Sequence, residues 1–281
     1  VQAFSFPGPW RFPEGTLGVL TRQAHERAAL TARQWDEWRA RARDAAPAHP
    51  FADALRGDHV RVIAEVKRAS PSKGLIAAGL DAAAQAVAYV AGGAAAISVL
   101  TEPTRFGGSL DDLARVAAAV AVPAIRKDFL VHPAQLWEAR ARGASAALLI
   151  VRSLSPDELP ALMAAAAEAG LATLVEVRDQ QELERALRVG ATVIGVNNRD
   201  LETLVIDPTT APAIIPHIPV HAVAVAESGM RSIADVQPAA DVGADAILVG
   251  SAISASPDPA RDVRALAGVP RSRTQRCPTR A

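Results

Sequence analysis

Cysteine is almost absent from this sequence: Cys277, in the polar segment 271–281, is the sole one among 281 residues. A disulfide framework within the chain is thereby excluded, and a cysteine metal site is not expected. Excess charge of one sign is equally lacking. The 30 basic and 30 acidic residues give a formal net charge of zero, with no long block of either sign. That removes the electrostatic footprint of a nucleic-acid or anionic-membrane binder. No apolar run reaches the ~20 residues needed to span a bilayer. Val1–Phe12 lacks the basic-then-apolar pattern of a secretory signal, so the expected setting is the cytoplasm. Histidine gives little support to metal or Ser-His-Asp chemistry. Only His221 lies next to a predicted strand, while His25, His49, His59, His132 and His217 read as surface or loop residues.

Lysine is the most informative scarcity. Of the 30 basic residues only Lys67, Lys73 and Lys127 are lysine; the rest are arginine. Arginine is a permanently charged planar fork, whereas a lysine ammonium is compact and can be tuned to give up its proton. Lys67 and Lys127 each end an apolar run that reads as a buried strand. A charge there is costly and normally has a task.

Half of the residues are apolar, enough for a sizeable core. From Arg61 onward short β-rich runs alternate with alanine-rich amphipathic stretches. Strands are predicted at Val62–Lys67, Ala96–Thr101, Ala124–Lys127, Ala146–Val151, Thr173–Val177, Val193–Asn197, Ala222–Ala226 and Ala246–Val249. Helices are predicted at Asp81–Ala91, Leu110–Ala121, Pro133–Arg142, Pro156–Ala169, Gln180–Val189 and Ser232–Val242. The strands are nearly continuous apolar runs, the pattern of a parallel sheet covered on its outer face. Eight strand–helix units in roughly 200 residues match a (β/α)8 TIM barrel. An open doubly wound sheet is the structural competitor, but no Gly-x-Gly-x-x-Gly turn follows the first strand. Residues 1–60 read as an N-terminal helical extension packed on the barrel, Pro-rich at Val1–Pro13 and helical from Thr16 to Arg43, with Trp35 and Trp38 on one face. Residues 61–268 form the barrel, and 269–281 a disordered tail.

In such a barrel, alternate strand residues point inward and catalytic groups project from the C-terminal strand ends. Polar residues collect there: Glu65 and Lys67 two apart on the first strand, Lys127 on the third and Glu176 on the fifth. Asn197 and Arg199 follow at the sixth, Glu227-Ser228 at the seventh and Gly250-Ser251 after the eighth. Two carboxylates and two lysines at one mouth can split their pKa values and act as acids and bases, or pair off as inert salt bridges. Glu227-Ser228-Gly229-Met230 and Val249-Gly250-Ser251 supply small residues where backbone N–H groups can approach a phosphate. Ser70-Pro71-Ser72-Lys73-Gly74 is either a flap over the mouth or a polar turn.

Seven motifs then occur in order: Glu65-Val66-Lys67-Arg68-Ala69-Ser70-Pro71-Ser72-Lys73-Gly74, Ser98-Val99-Leu100-Thr101, Phe106-Gly107-Gly108-Ser109, Arg126-Lys127-Asp128-Phe129, Leu174-Val175-Glu176-Val177, Gly195-Val196-Asn197-Asn198-Arg199-Asp200-Leu201 and Glu227-Ser228-Gly229. Together, over Arg61 to Pro259, they resemble the indole-3-glycerol-phosphate synthase family, the ring-closing lyases of tryptophan biosynthesis. The resemblance implies a carboxy-lyase acting on 1-(2-carboxyphenylamino)-1-deoxyribulose 5-phosphate, with no metal and no organic cofactor. It implies Lys127 as the general acid for ring closure, Glu176 as the carboxylate assisting later proton removal, Lys67 near the substrate carboxylate, and Glu65 as its partner. It further implies substrate contacts from Ser70, Asn197 and Arg199, aromatic walls from Phe106 and Phe129, and a phosphate site from Ser228, Gly229, Gly250 and Ser251. The partner implied is a small phosphorylated substrate, and non-covalent contact with other tryptophan-pathway enzymes is compatible with it.

The acid at Lys127 is expected to have a pKa depressed by burial and a second cation. Arg105, before the Phe-Gly-Gly-Ser motif, and the turn Val131-His132-Pro133-Ala134 depart from the family pattern. The nearest rival is phosphoribosylanthranilate isomerase, which works through a cysteine–aspartate pair, and here no strand carries a cysteine. A catalytically silent barrel is the rival from another class.

Overall fold

The computed structural model describes residues 10–272 and Arg276. Eight parallel strands close into a barrel: β1 (Arg61–Val66), β2 (Ala96–Leu100), β3 (Ala124–Lys127), β4 (Ala146–Ile150), β5 (Ala172–Val177), β6 (Val193–Asn197), β7 (Val223–Glu227) and β8 (Ala246–Val249). Each pairs with its neighbours in sequence and β8 closes on β1, the (β/α)8 order expected from the alternating pattern. The strands are buried almost throughout because Val, Ile, Leu and Ala fill both faces, inward to the barrel and outward to the helices.

The helical shell comprises α4 (Ala82–Ala91), α5 (Leu110–Ala119), α6 (Pro133–Ala141), α7 (Glu158–Glu168), α8 (Gln180–Arg188), α9 (Thr210–Ile214), α10 (Ile233–Asp241) and α11 (Pro259–Ala267). Local chemistry sets their starts. Asp81, Ser109, Asp179, Ser232 and Asp258 each accept a backbone N–H in the first turn. The divergent turn at 131–134 is likewise a helix start. His132 accepts from Ala134 N–H while Gln135 reaches back, a reciprocal cap ahead of Pro133 at the first helical position.

The N-terminal region is helical, but the single span predicted over Thr16–Arg43 is two helices, α1 (Gly15–Ala32) and α2 (Trp35–Asp44), followed by the short α3 (Phe51–Ala54). The break at Arg33-Gln34 lets α1 reach the barrel mouth, where Thr21 Oγ1 donates to Ser153 Oγ at 3.2 Å and Arg27 pairs with Asp128 at 2.9 Å. It also lets α2 turn onto α6, with Arg39 between the rings of Trp35 and Trp137.

The disordered tail predicted from residue 269 is corrected where the structure describes it. Val269 is buried, Val60 N–H donates to its carbonyl, and Pro270 bridges to His59. Arg271 and Arg276 both pair with Asp245, a buried carboxylate just before β8, with Arg276 at 2.9 Å. An unpaired buried carboxylate is expensive, and Asp245 recruits these two arginines. Residues 1–9 of the predicted Pro-rich start, Val1–Pro13, and Cys277 lie outside the described residues.

Candidate active site

The C-terminal strand ends open into a cavity of about 500 Å³. All thirteen residues singled out from the sequence line it: Glu65, Lys67, Ser70, Phe106, Lys127, Phe129, Glu176, Asn197, Arg199, Ser228, Gly229, Gly250 and Ser251. Strand pleating explains the selection. Arg126 and Lys127 are adjacent, so they point to opposite faces. Lys127 enters the cavity, whereas Arg126 points outward, donating to the Gln135 carbonyl and to Glu138 Oε2, both at 2.8 Å.

Two charge clusters stand on the cavity floor. On β1, Glu65 and Lys67 face the same way and meet, Nζ to Oε1, at 2.6 Å. Ser98 Oγ, on the neighbouring strand, donates to Glu65 Oε2 at 3.4 Å. Burial opposes ionisation of Glu65, but Lys67, Lys127 and these hydrogen bonds prevail and hold its carboxyl below the usual range.

Across the barrel, Lys127 Nζ stands 3.7 Å from Glu176 Oε2 and 3.8 Å from Glu227 Oε2. Asn197 Nδ2 donates to Glu176 Oε1 at 2.9 Å and its Oδ1 accepts from Arg199 N–H, so one amide fixes both the carboxylate and the start of the following loop. Arg199 then donates to the Leu204 carbonyl at 2.8 Å, bracing that loop.

The expected depression of the Lys127 pKa is corrected. Burial does act downward, but Glu176, Glu227 and Glu65 outweigh it and raise the ammonium above its ordinary value. The other lysine of the floor, Lys67, is held by Glu65. The counterpart is Glu227, which burial and the Glu176 carboxylate push well above the usual range, Lys127 only partly opposing them. Glu227 is therefore the carboxyl favoured to keep its proton in the resting site.

Glu227 is the charged side chain of the floor that sequence reasoning did not select as a catalytic candidate. Its position as the last residue of β7 was the available signal. Register supplies the rest: Asn197 pairs with Glu227 and Gly195 with Glu176, which brings both carboxyls to one level of the barrel.

Above the floor, the Phe106 and Phe129 rings lie 6.3 Å apart between centroids, tilted by 41°. Apolar Leu100, Leu148 and Leu248 also line the cavity. Opposite, Ser228 and Gly229 have φ of 65° and 86°, and Asn198 Nδ2 holds the Ser228 carbonyl at 3.0 Å. Such left-handed turns direct successive N–H groups to one side, a geometry suited to anions. The segment after β8 is a turn, with Ile253 and Ser254 N–H groups both donating to the Gly250 carbonyl. Lys73 lines the outer cavity from an exposed position, on a loop closed by the short ladder of Ala69–Ser70 with Gly74–Leu75. Among the described residues no group of three or more His, Cys, Asp or Glu side chains could hold a metal ion. No helix among them is long and apolar enough to cross a membrane.

A family model for indole-3-glycerol phosphate synthase matches residues 19–266. The chain is 53% identical over 237 residues to indole-3-glycerol phosphate synthase 1 of Streptomyces coelicolor, covering 83% of this chain and 88% of that one. It is 51% identical over 224 residues to the synthase of Mycolicibacterium smegmatis, covering 80% and 82%. Among solved structures, a thiamine phosphate pyrophosphorylase from Pyrococcus furiosus superposes with a TM-score of 0.56 at 16% identity, over 75% of this chain and 95% of that one, which bears on the fold alone.

Proposed function

From the premise that this chain belongs to the indole-3-glycerol phosphate synthase family, we propose how its cavity divides the work of that reaction. The enzymes of the family are carboxy-lyases that convert 1-(2-carboxyphenylamino)-1-deoxyribulose 5-phosphate to indole-3-glycerol phosphate, CO2 and water. The substrate is amphipathic along its length, and so is the cavity. The phenyl ring fits against the pair Phe106 and Phe129, the phosphate fits the Ser228-Gly229 and Gly250-Ser251 loops, and the ketone then falls between Lys127 and Lys67.

The ring carbon bearing the carboxylate attacks the ketone carbon as Lys127 gives its proton to the ketone oxygen. The carboxyl groups around Lys127 raise its pKa and so favour the charged form before the reaction begins. Negative charge developing on the oxygen draws the proton across, the usual logic of general acid catalysis. Lys67, neutralised in the resting site by Glu65, faces the substrate carboxylate and orients it until the C–C bond to CO2 breaks. The electron pair left behind restores the aromatic ring. In the last stage the hydroxyl leaves as water and the carbon beside the nitrogen loses a proton to Glu176, which Asn197 holds in place. The Glu65–Lys67 pair is close enough to serve the departing hydroxyl.

The observation that carries this reading is the single ammonium of Lys127 held between two carboxyl groups opposite a second, separately paired lysine. The direct test is to incubate the purified chain with the carboxyphenylamino-deoxyribulose phosphate and follow the indole fluorescence of the product. Absence of indole product from folded protein overturns it. Contact with other enzymes of the pathway and a cytoplasmic setting belong to the same proposal, and co-purification and fractionation test them.

A further inference from the structure

Behind the floor of the main cavity lies a second one of about 310 Å³, between the ends of β4, β5 and β6 and the start of α8. The two share a wall: Glu176, Asn197 and Arg199 line both. On the far side of the second cavity stands Glu182, in the first turn of α8 and 8% exposed. The rim beyond it carries exposed Asp179 and half-buried Arg178 and Asp200, so this cavity has its own approach from solvent.

The reaction draws on solvent for a proton. Starting from the ionised carboxylate, substrate plus one proton gives product, CO2 and water. Protonation of the ketone oxygen empties Lys127. Of the later steps, water formation consumes a proton and loss of the carbon-bound hydrogen returns one. One proton per turnover must therefore enter from solvent, and a route apart from the mouth lets it reach Lys127 while substrate is bound. We propose that the second cavity is that entrance, and that Glu182 relays protons through the water it contains to Glu176 and so to Lys127. The proposal rests on the reaction assigned above.

The setting of Glu182 suits a group that holds a proton and can release it. One carboxyl oxygen accepts the Arg178 N–H at 2.8 Å, and Asp179, which caps α8, accepts the N–H of Glu182 itself. The surrounding arginines are committed elsewhere. Arg152 pairs with Glu202 at 2.8 Å, Arg178 approaches Asp200 at 3.6 Å, and Arg185 donates to the carbonyls of Val151 and Leu154. Burial and the Asp179 charge push the Glu182 carboxyl up to about 8; the Arg178 N–H and Arg152 oppose this, and Glu176 adds a further upward push. A relay near the working pH transfers protons in both directions without a deep trap.

The test compares the intact wild-type chain with Glu182→Gln and Glu182→Asp. Glutamine keeps the acceptor for Arg178 N–H but cannot titrate; aspartate titrates but lengthens the path. Expected for Glu182→Gln is a kcat at least ~10-fold lower, with KM little changed and a larger solvent deuterium isotope effect on kcat. Glu182→Asp should shift the same quantities by less. Wild-type kcat, pH profile and isotope effect in both variants overturn the relay. So does a lowered melting temperature with an unchanged isotope effect, which marks a helix cap and nothing more. Indole formation by the wild type is read separately, so failure of the relay is distinct from failure of the assigned reaction.

Discussion

Gly195 on β6 vacates the space that the Glu227 carboxyl on β7 occupies: a β-carbon on Gly195 would lie 2.0 Å from Glu227 Oε1. Gly250 stands in the same relation to Glu65, whose Oε1 would be 2.5 Å from the added carbon, with Lys67 Cε at 3.1 Å. Each carboxyl is thus aimed by the absence of a side chain on its neighbour. Gly195→Ala should leave a folded barrel, because what must move is the end of a side chain, and displace Glu227 from Lys127. A displacement of about 1 Å is worth about 100-fold in turnover. Steady-state kinetics and a thermal melt on the same preparation check this; unchanged kcat removes Glu227 from the machinery.

Lys127→Arg keeps the charge between Glu176 and Glu227 but replaces a titratable ammonium with a guanidinium that holds its proton. Turnover is expected to fall by ~10²–10⁴-fold with the circular dichroism spectrum preserved. Wild-type-like production of indole would refute the role of Lys127 as the acid.

Arg126 serves the opposite face of the same strand. It donates to Glu138 and to the Gln135 carbonyl at 2.8 Å and to Thr101 at 3.2 Å, entirely among buried groups. Arg126→Leu leaves the Glu138 charge buried without its partner, and the loss in stability should be roughly 3–5 kcal/mol. Urea denaturation measures it, and a cost under ~1 kcal/mol would show that the network is dispensable.

Glu182 gives stability a pH dependence. Its carboxyl titrates near 8 in the folded chain, against an ordinary value of 4.5. Between those values the folded state binds more protons than the unfolded one. The contribution is therefore fully present below about 4.5 and is lost as pH rises through about 8, at up to about 1.4 kcal/mol per pH unit. Glu182→Gln should remove that slope, so its stability relative to wild type should improve from pH 5 to pH 9. Parallel stability curves for the two proteins would contradict it.

The alternation of apolar strands with amphipathic helices is local, and it determined the barrel. Three strands, Ala124–Lys127, Val193–Asn197 and Ala246–Val249, have the bounds read from the sequence, and the rest differ by one residue at one end or, for β1 and β7, at both. Two helices of the barrel shell escaped notice. One, α9, is five residues long with proline at 212, and the other, α11, follows a turn-rich stretch after the last strand. The cavity-lining residues were legible for the same reason as the strands: strand direction and period-two pleating place Glu65, Lys67, Lys127 and Glu176 at one end and on one face. What tertiary structure decided is which of these charges meet. Lys127 lies between Glu176 and Glu227, strands away in sequence, only because closure and register bring β3, β5 and β7 to one level, and that reversed the expected direction of its pKa. The second cavity behind Glu176 and the anchoring of Arg271 and Arg276 on Asp245 have the same origin. Periodicity is written along the chain, whereas the field at a buried charge is summed over neighbours that only the closed barrel assembles.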